Sequence, residues 1–554
     1  MTKHFFEYFN EVFPARWNEP ALTDYNGDVS YTFGDVAAQV QRIGNYFRTI
    51  GIQPGDKIAI CGRNCANWAV AYLAIASYGG IIVSILQDFH GDDIKELLKH
   101  SDSKALFIGP YVLKGILEEE AYKNILVDGD PIREMLPQLQ TIISLTDFST
   151  LFSATETISL EDFEIPVVDC EQFCFPVRNP DNQLLINYTS GSMGAPKGVM
   201  LSYRSLSSNI EAGLKFLPNK PGWKVVSMLP LAHMYGQLAE FLYPLANGCH
   251  IYFLTKTPTP TLLMKAFAEV HPYEVVTVPL VIEKIYKRSL APVLDKKVIR
   301  SIMYVPLFNR VIKKVIKNKL MKAFGGELKY FMVGGAALNE DVERNLLNVG
   351  FPLVVGYGMT ECGPLIGGCH IKDFVPRSSG HILPNNEIRI DSADPYREVG
   401  EILVRGEHVM MGYYKNEEAT KAAFTEDGWL RTGDLGLIDK NNNIFIKGRN
   451  KNMILGASGQ NIYPEEIEDK LNNMEGVVES VVVEREGKLV ALVFPDYAKD
   501  GNLEFDSRIV ALMKENLQKI NNLLPKYSQI SKIELQKDEF DKTPKKSIKR
   551  FLYK

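Results

Sequence analysis

KIAICGRNCANWAVAYLAIASYGGIIVSILQ, residues 57–87, decides the fold class of this chain. Its second part, residues 64–87, carries no charge over more than 20 positions, long enough to cross a bilayer if read by hydropathy alone. Gly79-Gly80 divides it, however, into an Ala-rich helical half and a β-branched half, Ile81–Leu86. A short apolar run, KIAIC, stands in front. The pattern predicts strand, buried helix, turn and buried parallel strand, since strands covered on both faces read as unbroken apolar runs.

Working outward, further apolar runs alternate with helical patterns. The runs are ALFI (105–108), KNILV (123–127), TIISL (141–145), KVVSML (224–229) and VVTV (275–278); Phe33–Ile50 and Arg204–Lys215 are helical in period. This alternation predicts parallel α/β sheets with helices on their faces. After about residue 376 the texture changes. EIRI (387–390), EILVRG (401–406), GLID (436–439) and NIFIKG (443–448), separated by Gly, Asn and Asp turns, predict a smaller antiparallel β unit. From Lys451 the chain reads as a compact α+β lid: helix Glu465–Met474, strands Val477–Glu484 and Lys488–Phe494, helix Ser507–Leu523. The expected domains are 1–450, with a β-rich subdomain at about 376–450, and 451–554.

With 554 residues, 45% hydrophobic and 23% charged, the chain has ample length for a large core. A net charge of −5 argues against a general nucleic-acid binder, which needs a basic surface. Seven cysteines, an odd and sparse number, give no disulfide framework. Cys61/Cys65 and Cys170/Cys174 share a CxxxC spacing, but no His-rich segment accompanies them, so buried free thiols in a reducing cytoplasm are expected. Met1–Phe13 lacks the apolar core of a cleavable signal. Two basic stretches stand out. Arg310–Lys322 holds six cations and no acid, with Val311/Ile312, Val315/Ile316 and Leu320 placed on one helical face; it reads as a surface helix or as a contact for anionic lipid. Asp541–Lys554 holds six cations against one acid.

The sharpest local signal is YTSGSMGAPKG, residues 188–198, directly after the apolar Leu184–Ile186. Small hydroxyl and glycine residues let backbone N–H groups crowd around an anion, and one lysine adds charge. No Walker A string fits it. GYGMTEC (356–362) offers an aromatic ring for a base, a hydroxyl for a phosphate and a carboxylate for Mg²⁺, which is held by one or two carboxylates together with substrate phosphates. WLRTGD (429–434) ends in a carboxylate after a tight turn, suited to a ribose diol.

With PLAHMYG (230–236), VGGAAL (333–338), GRNKNM (448–453) and the terminal KTP (542–544), these motifs in this order resemble the adenylate-forming superfamily of acyl-CoA synthetases, luciferases and peptide-synthetase adenylation domains. The resemblance runs over essentially the whole chain. It implies a large N-terminal domain of parallel α/β sheets with a small β-barrel-like subdomain, and a small mobile α+β C-terminal domain. It implies ATP, Mg²⁺ and CoA as cofactor and co-substrates. A carboxylate attacks the α-phosphorus of ATP, and the CoA thiol then displaces AMP. Carried over by motif, Thr189, Ser190, Gly191, Ser192, Gly194 and Lys197 hold the β- and γ-phosphates. Gly334, Gly335 and Ala336 pack against adenine, Tyr357 stacks on it with Gly358 beside it, and Thr360 contacts the α-phosphate. Glu361 ligates Mg²⁺, Asp434 and Arg449 hold the ribose, Lys451 marks the hinge, and Ser458 and Gly459 flank the pantetheine channel.

Amino-acid-activating relatives place an Asp in the motif that here reads PLAHMYG; this one has none, and His233 resembles the gate beside the reacting carboxylate. Acetate-using relatives carry Trp where Gly358 stands, so a longer acyl chain is expected, each buried CH₂ adding roughly 0.8 kcal/mol. The wording of YGMTEC and KNMILGASGQNIYPEEIE resembles long-chain fatty acid–CoA ligases most. The chain departs from the family in its tail: gapless alignment puts Ser547 where the adenylating lysine belongs. Lys546 serves if the loop shifts by one residue, and Lys545 and Lys549 share a face with residue 547 in an extended segment. Two other readings stay open: a fatty acyl-AMP ligase loading a carrier protein, and a nucleotide-binding regulator without catalysis. Fatty acid and CoA are the expected partners. A homodimer and contact of Arg310–Lys322 with a membrane surface also remain open, with a cytoplasmic location.

Overall fold

The structure is a computed structural model describing residues 2–117, 130–154, 158–189, 196–286, 306–455, 460–496, 507–542 and 548–553. The deciding segment folds as strand Lys57–Cys61, helix Ala66–Tyr78 and strand Ile81–Ile85. Gly79, at φ 90°, ends the helix in a left-handed cap, which a residue without Cβ adopts at no steric cost. Every residue from Ala66 to Ala76 is buried, so the uncharged stretch is core; among the described residues no helix is long and apolar enough to cross a membrane.

The two strands pair in parallel, Ile58 opposite Ile82. They lie inside an eight-stranded sheet whose order is Gly412–Tyr413, Lys197–Ser202, Gln183–Thr189, Ile81–Ile85, Lys57–Cys61, Ala105–Ile108, Thr141–Ser144 and Thr150–Ser153. Its five middle strands are parallel. A second sheet of seven runs Leu353–Val355, Tyr330–Val333, Glu274–Thr277, Lys224–Ser227, His250–Leu254, Pro20–Tyr25 and Ser30–Thr32, parallel apart from the last pair. The largest core fills the space around helices Phe33–Thr49, Ala66–Tyr78 and Tyr203–Phe216, with side chains from both sheets. Phe5, Phe6, Phe9 and Phe13 of helix Phe5–Ala15 are fully buried in it.

The β-rich part contains a four-stranded antiparallel sheet, Asn386–Asp391, Gly400–Gly406, Leu430–Ile438 and Ile444–Arg449. Beside it a three-stranded sheet, Tyr357–Gly358, Leu365–Gly368 and His381–Ile382, is joined through the bridge between His381 and Asn443. One strand of this region leaves it: Gly412–Tyr413 pairs with Val199 and Met200 at the edge of the eight-stranded sheet. The small C-terminal part has its own sheet, Val477–Arg485, Lys488–Pro495 and Ile530–Leu535, packed with helices Pro464–Leu471 and Ser507–Leu523 around its own core.

Two expectations change, and a third is untested. Cys174 is exposed and Cys65 and Cys170 are half-buried, so only Cys61, Cys249, Cys362 and Cys369 are the buried thiols expected. The apolar stripe of helix Pro306–Ala323 splits: Ile316 and Leu320 are buried while Val311 and Val315 are 57% and 62% exposed. Neighbours i and i+1 lie about 100° apart on a helix, so one row faces the core and the other water. The run KNILV (123–127) lies outside the described residues.

Candidate active site

The site forms at the C-terminal ends of parallel strands, where open α/β sheets leave a crevice. Loops leaving Lys224–Ser227, Glu274–Thr277, Tyr330–Val333 and Leu353–Val355 supply His233, Val278, Gly335 with Ala336, and Tyr357. With Thr189 and Lys197 from the other large sheet and Asp434 and Arg449 from the β-rich part, they line one cleft of about 3500 Å³.

Thr189 and Lys197 face each other across the antiparallel pair at the two feet of the phosphate-type loop. The loop itself, with Ser190, Gly191, Ser192 and Gly194, lies outside the described residues. The Lys197 ammonium sits 4.9 Å from the centre of the Tyr413 ring. The Tyr413 hydroxyl donates to Glu361 Oε1 at 2.9 Å. Burial, and then the nearby Glu361 carboxylate, push the Tyr413 phenol far above its ordinary pKa, so it stays a donor. Lys197, Tyr413 and Glu361 are thereby linked. Tyr413 belongs to none of the motifs read from the sequence; it reaches the site because its short strand crosses to the sheet edge.

Glu361 sits in the 3₁₀ turn Thr360–Cys362, with Thr360 buried beside it. Gly358, just before, is a place where sequence and structure weigh differently. A Cβ there would lie 2.1 Å from the Pro364 carbonyl oxygen, so the glycine is demanded by close backbone approach and not only by acyl volume. Gly335 turns at φ +85° after its strand, while a Cβ on Gly334 would come within 3.0 Å of the Tyr235 ring.

Asp434 and Arg449 are cross-strand partners. Arg449 Nε lies 3.0 Å from Asp434 Oδ1, and the Tyr357 hydroxyl donates to Oδ2 at 2.8 Å. Burial raises the Asp434 carboxyl and Arg449 opposes the rise. Tyr357 thus presents its ring to the cleft while its hydroxyl is held by Asp434. His233 caps the short helix Met234–Gln237, its Nδ1 accepting from the Tyr235 N–H at 3.2 Å.

Lys451 lies in the turn Asn450–Asn452 on the cleft wall; Ser458 and Gly459 lie outside the described residues. In the tail, Lys542 bridges opposite Ile548. Lys545, Lys546 and Ser547, which come between them in sequence, lie outside the described residues. Lys542 is paired with Glu479 at 2.9 Å and Arg550 with the buried Glu468, while Lys549 faces the cleft. The small part docks on the large one through Asn339, whose Nδ2 donates to Asp469 Oδ1 at 2.9 Å.

The cleft has an apolar arm. Leu263, Phe267, Val281, Ile285, Ile316 and Leu320 line it, from helices Pro260–Val270, Pro279–Ile285 and Pro306–Ala323. A second, nearly wholly apolar cavity of about 50 Å³ lies behind Tyr235, beside Gly356, Pro364 and Cys369.

The family model for AMP-binding enzymes matches residues 10–414, and that for the C-terminal domain of AMP-binding enzymes matches residues 451–553. The chain belongs to the AMP-binding enzyme family. This AMP-binding enzyme is 29% identical over 477 residues to the peroxisomal long-chain acyl-CoA synthetase 7 of Arabidopsis thaliana, covering 80% of this chain but 65% of that one. It is 27% identical over 477 residues to a long-chain-fatty-acid–CoA ligase of Mycobacterium bovis, covering 82% and 75%. Its fold superposes on ATP-bound MatB from Rhodopseudomonas palustris with a TM-score of 0.77 at 23% identity, covering 100% and 98% of the two chains. It superposes on a benzoate CoA ligase from Burkholderia xenovorans at 0.76 and 20% identity, covering 100% and 99%.

Proposed function

We propose that this AMP-binding enzyme activates a medium- or long-chain fatty acid with ATP and transfers it to CoA, giving acyl-CoA, AMP and pyrophosphate. The observation that carries the reading is one cleft lined by Lys197, Glu361 and the Asp434–Arg449 pair and also by the apolar residues of helices Pro260–Val270, Pro279–Ile285 and Pro306–Ala323. The names of the relatives support the acyl-CoA ligase class and the long chain. Each CH₂ laid along the arm contributes roughly 0.8 kcal/mol.

In this reading Thr189, Ser190, Ser192 and Lys197 hold the outer phosphates, Thr360 the α-phosphate, and Asp434 with Arg449 the ribose. The donor set fits a magnesium ion. Tyr413 takes one oxygen of Glu361, which leaves the other oxygen of that carboxylate to hold such an ion. Bound magnesium supplies positive charge against the triphosphate. The acid's carboxylate oxygen attacks the α-phosphorus and pyrophosphate leaves; the CoA sulfur then attacks the acyl carbonyl, AMP leaves, and the thiol proton passes to solvent. A tail cation, for which we choose Lys546, offsets charge growing at the α-phosphate. The unit from residue 451 turns about Lys451 between the two steps and brings Ser458 and Gly459 beside the pantetheine. We place the protein in the cytoplasm. Helix Pro306–Ala323, with exposed Val311 and Val315 among its cations, then touches anionic membrane, from which the substrate is drawn.

The test is a panel of acids from two to eighteen carbons, assayed for AMP formation with and without CoA, with a holo-carrier protein as competing acceptor. AMP formation that rises with chain length and needs CoA supports the reading. AMP release only with the carrier would move the assignment to a carrier-loading ligase, and acid-independent silence would sink it. Lys545→Ala, Lys546→Ala and Lys549→Ala, made separately, test the tail: wild-type adenylation in all three would mean that none of these lysines acts in adenylation.

A further inference from the structure

His233 stands at the end of residues 228–233, an irregular stretch between strand Lys224–Ser227 and helix Met234–Gln237. Irregular backbone at a site must have its polar groups satisfied from outside, and here four buried side chains do so. Asn64 Nδ2 donates to the Leu229 carbonyl at 2.6 Å, and its Oδ1 accepts from the Leu231 N–H at 2.9 Å. Asn187 Nδ2 donates to the Ala232 carbonyl at 2.8 Å, and Gln237 Nε2 to the Leu231 carbonyl at 3.1 Å.

The fourth is an acid. Glu240 is fully buried, in the π-helical turn Leu238–Leu242 that continues the short helix capped by His233. Its Oε2 accepts from the N–H groups of both Met228 and Leu229 at 2.9 Å and from the Ser227 hydroxyl at 3.2 Å. Its Oε1 has no partner among the described residues. The carboxyl group therefore reaches back across the whole segment, to Ser227, Met228 and Leu229, and clamps its entry, while its exit carries His233. A π-turn, which adds a residue to the helical ladder, aims the side chain at that point, and such turns recur at functional sites.

We propose that Glu240 is a positioning residue, holding residues 228–233 so that His233 meets the acid's carboxylate in the adenylation step. This rests on the acyl-activating reading above. The cost of a wholly buried carboxyl is met by two N–H donors and a hydroxyl aimed at one oxygen, an arrangement of little use to a core that apolar side chains would fill as well. Burial holds the carboxyl well above its ordinary pKa, and the donors, with Glu274 as the facing acid, set where it ionises.

The test compares Glu240→Leu with Glu240→Gln, whose amide oxygen still accepts both N–H groups. Acid-dependent exchange of pyrophosphate into ATP should fall at least tenfold in kcat for Glu240→Leu, with KM for ATP changed less than twofold, and recover within threefold for Glu240→Gln. In a His233→Ala background the leucine substitution should cost less than twofold, because the residue acts through His233. Asn64→Ala perturbs the same segment independently and should show the same non-additivity, which keeps the test alive if the leucine variant fails to fold. The ring carbon NMR signal of His233, identified by its loss in His233→Ala, should shift in Glu240→Leu and stay in place in Glu240→Gln. That signal is read without substrate, so it answers for Glu240 even if no acid is activated. Equal losses with and without His233, or an unmoved His233 signal, would overturn the proposal.

Discussion

Removing the Asp434 carboxylate should weaken nucleotide binding by an amount the geometry bounds. The carboxylate is 5% exposed and already holds two donors, Tyr357 at 2.8 Å and Arg449 at 3.0 Å. A ribose diol approaching from the cleft would offer two hydroxyls to the same oxygens. Hydrogen bonds to a charged acceptor contribute about 1.5–3 kcal/mol each, but the existing donors must yield part of theirs, so the net is that of about one such bond. Asp434→Asn should therefore raise KM for ATP by about 10- to 150-fold, at about 1.4 kcal/mol per decade, with kcat changed much less. The assay is fatty-acid-dependent pyrophosphate exchange, with thermal unfolding to show that the fold persists. Wild-type protein should lose a similar factor with 2′-deoxy- or 3′-deoxy-ATP, whereas Asp434→Asn should lose little more. Should the deoxy analogues cost the variant as much as they cost the wild type, Asp434 does not hold the ribose and the placement of the nucleotide is wrong.

Burial raises Glu274 to about 7 from an ordinary 4.5, although Asn219 and Tyr243 donate to it. The folded state thus keeps a proton the unfolded chain has lost, so stability should fall as pH rises from about 4.5 to 7, by on the order of 3 kcal/mol; Glu274→Gln should flatten that slope in denaturant titrations run across the same window. Asp469→Ala removes the acceptor that Asn339 grips, a contact of about 1 kcal/mol, and should change the balance of adenylation against thioester formation several-fold in pre-steady-state assays; unchanged rates for both steps would mean that the contact does not set the domain pose. Gly358→Ala places a carbon 2.1 Å from the Pro364 oxygen, so the turn bearing Glu361 must move, with a loss of about 1–3 kcal/mol in unfolding measurements and a larger loss in activity.

The strands were legible where both faces are covered, because such strands read as plain apolar runs: ALFI is Ala105–Ile108 and KIAIC is Lys57–Cys61 without adjustment. Strand Pro20–Tyr25 was not, since PALTDY shows no such run and its parallel partner, His250–Leu254, is more than 200 residues away. The motifs named Thr189, Lys197, His233, Tyr357, Glu361, Asp434 and Arg449 of the cleft lining because each motif is local. Tyr413 and Glu240 were invisible for the opposite reason. Tyr413 meets Glu361 only through a strand crossing between sheets, and a glutamate in LAEFL reads as a surface position until its backbone partners are folded around it. The valines of the basic helix were misplaced because periodicity gives the angle between rows but not which row turns inward.

The crossing strand Gly412–Tyr413 has a consequence for solubility. It covers the outer side of Lys197–Ser202, the last long strand of its sheet, where unpaired backbone would otherwise invite another chain to add itself. A fragment cut before Gly412 would keep Thr189 and Lys197 and lose this cover. Such fragments should stick together at the edge that Gly412–Tyr413 shields in the intact protein.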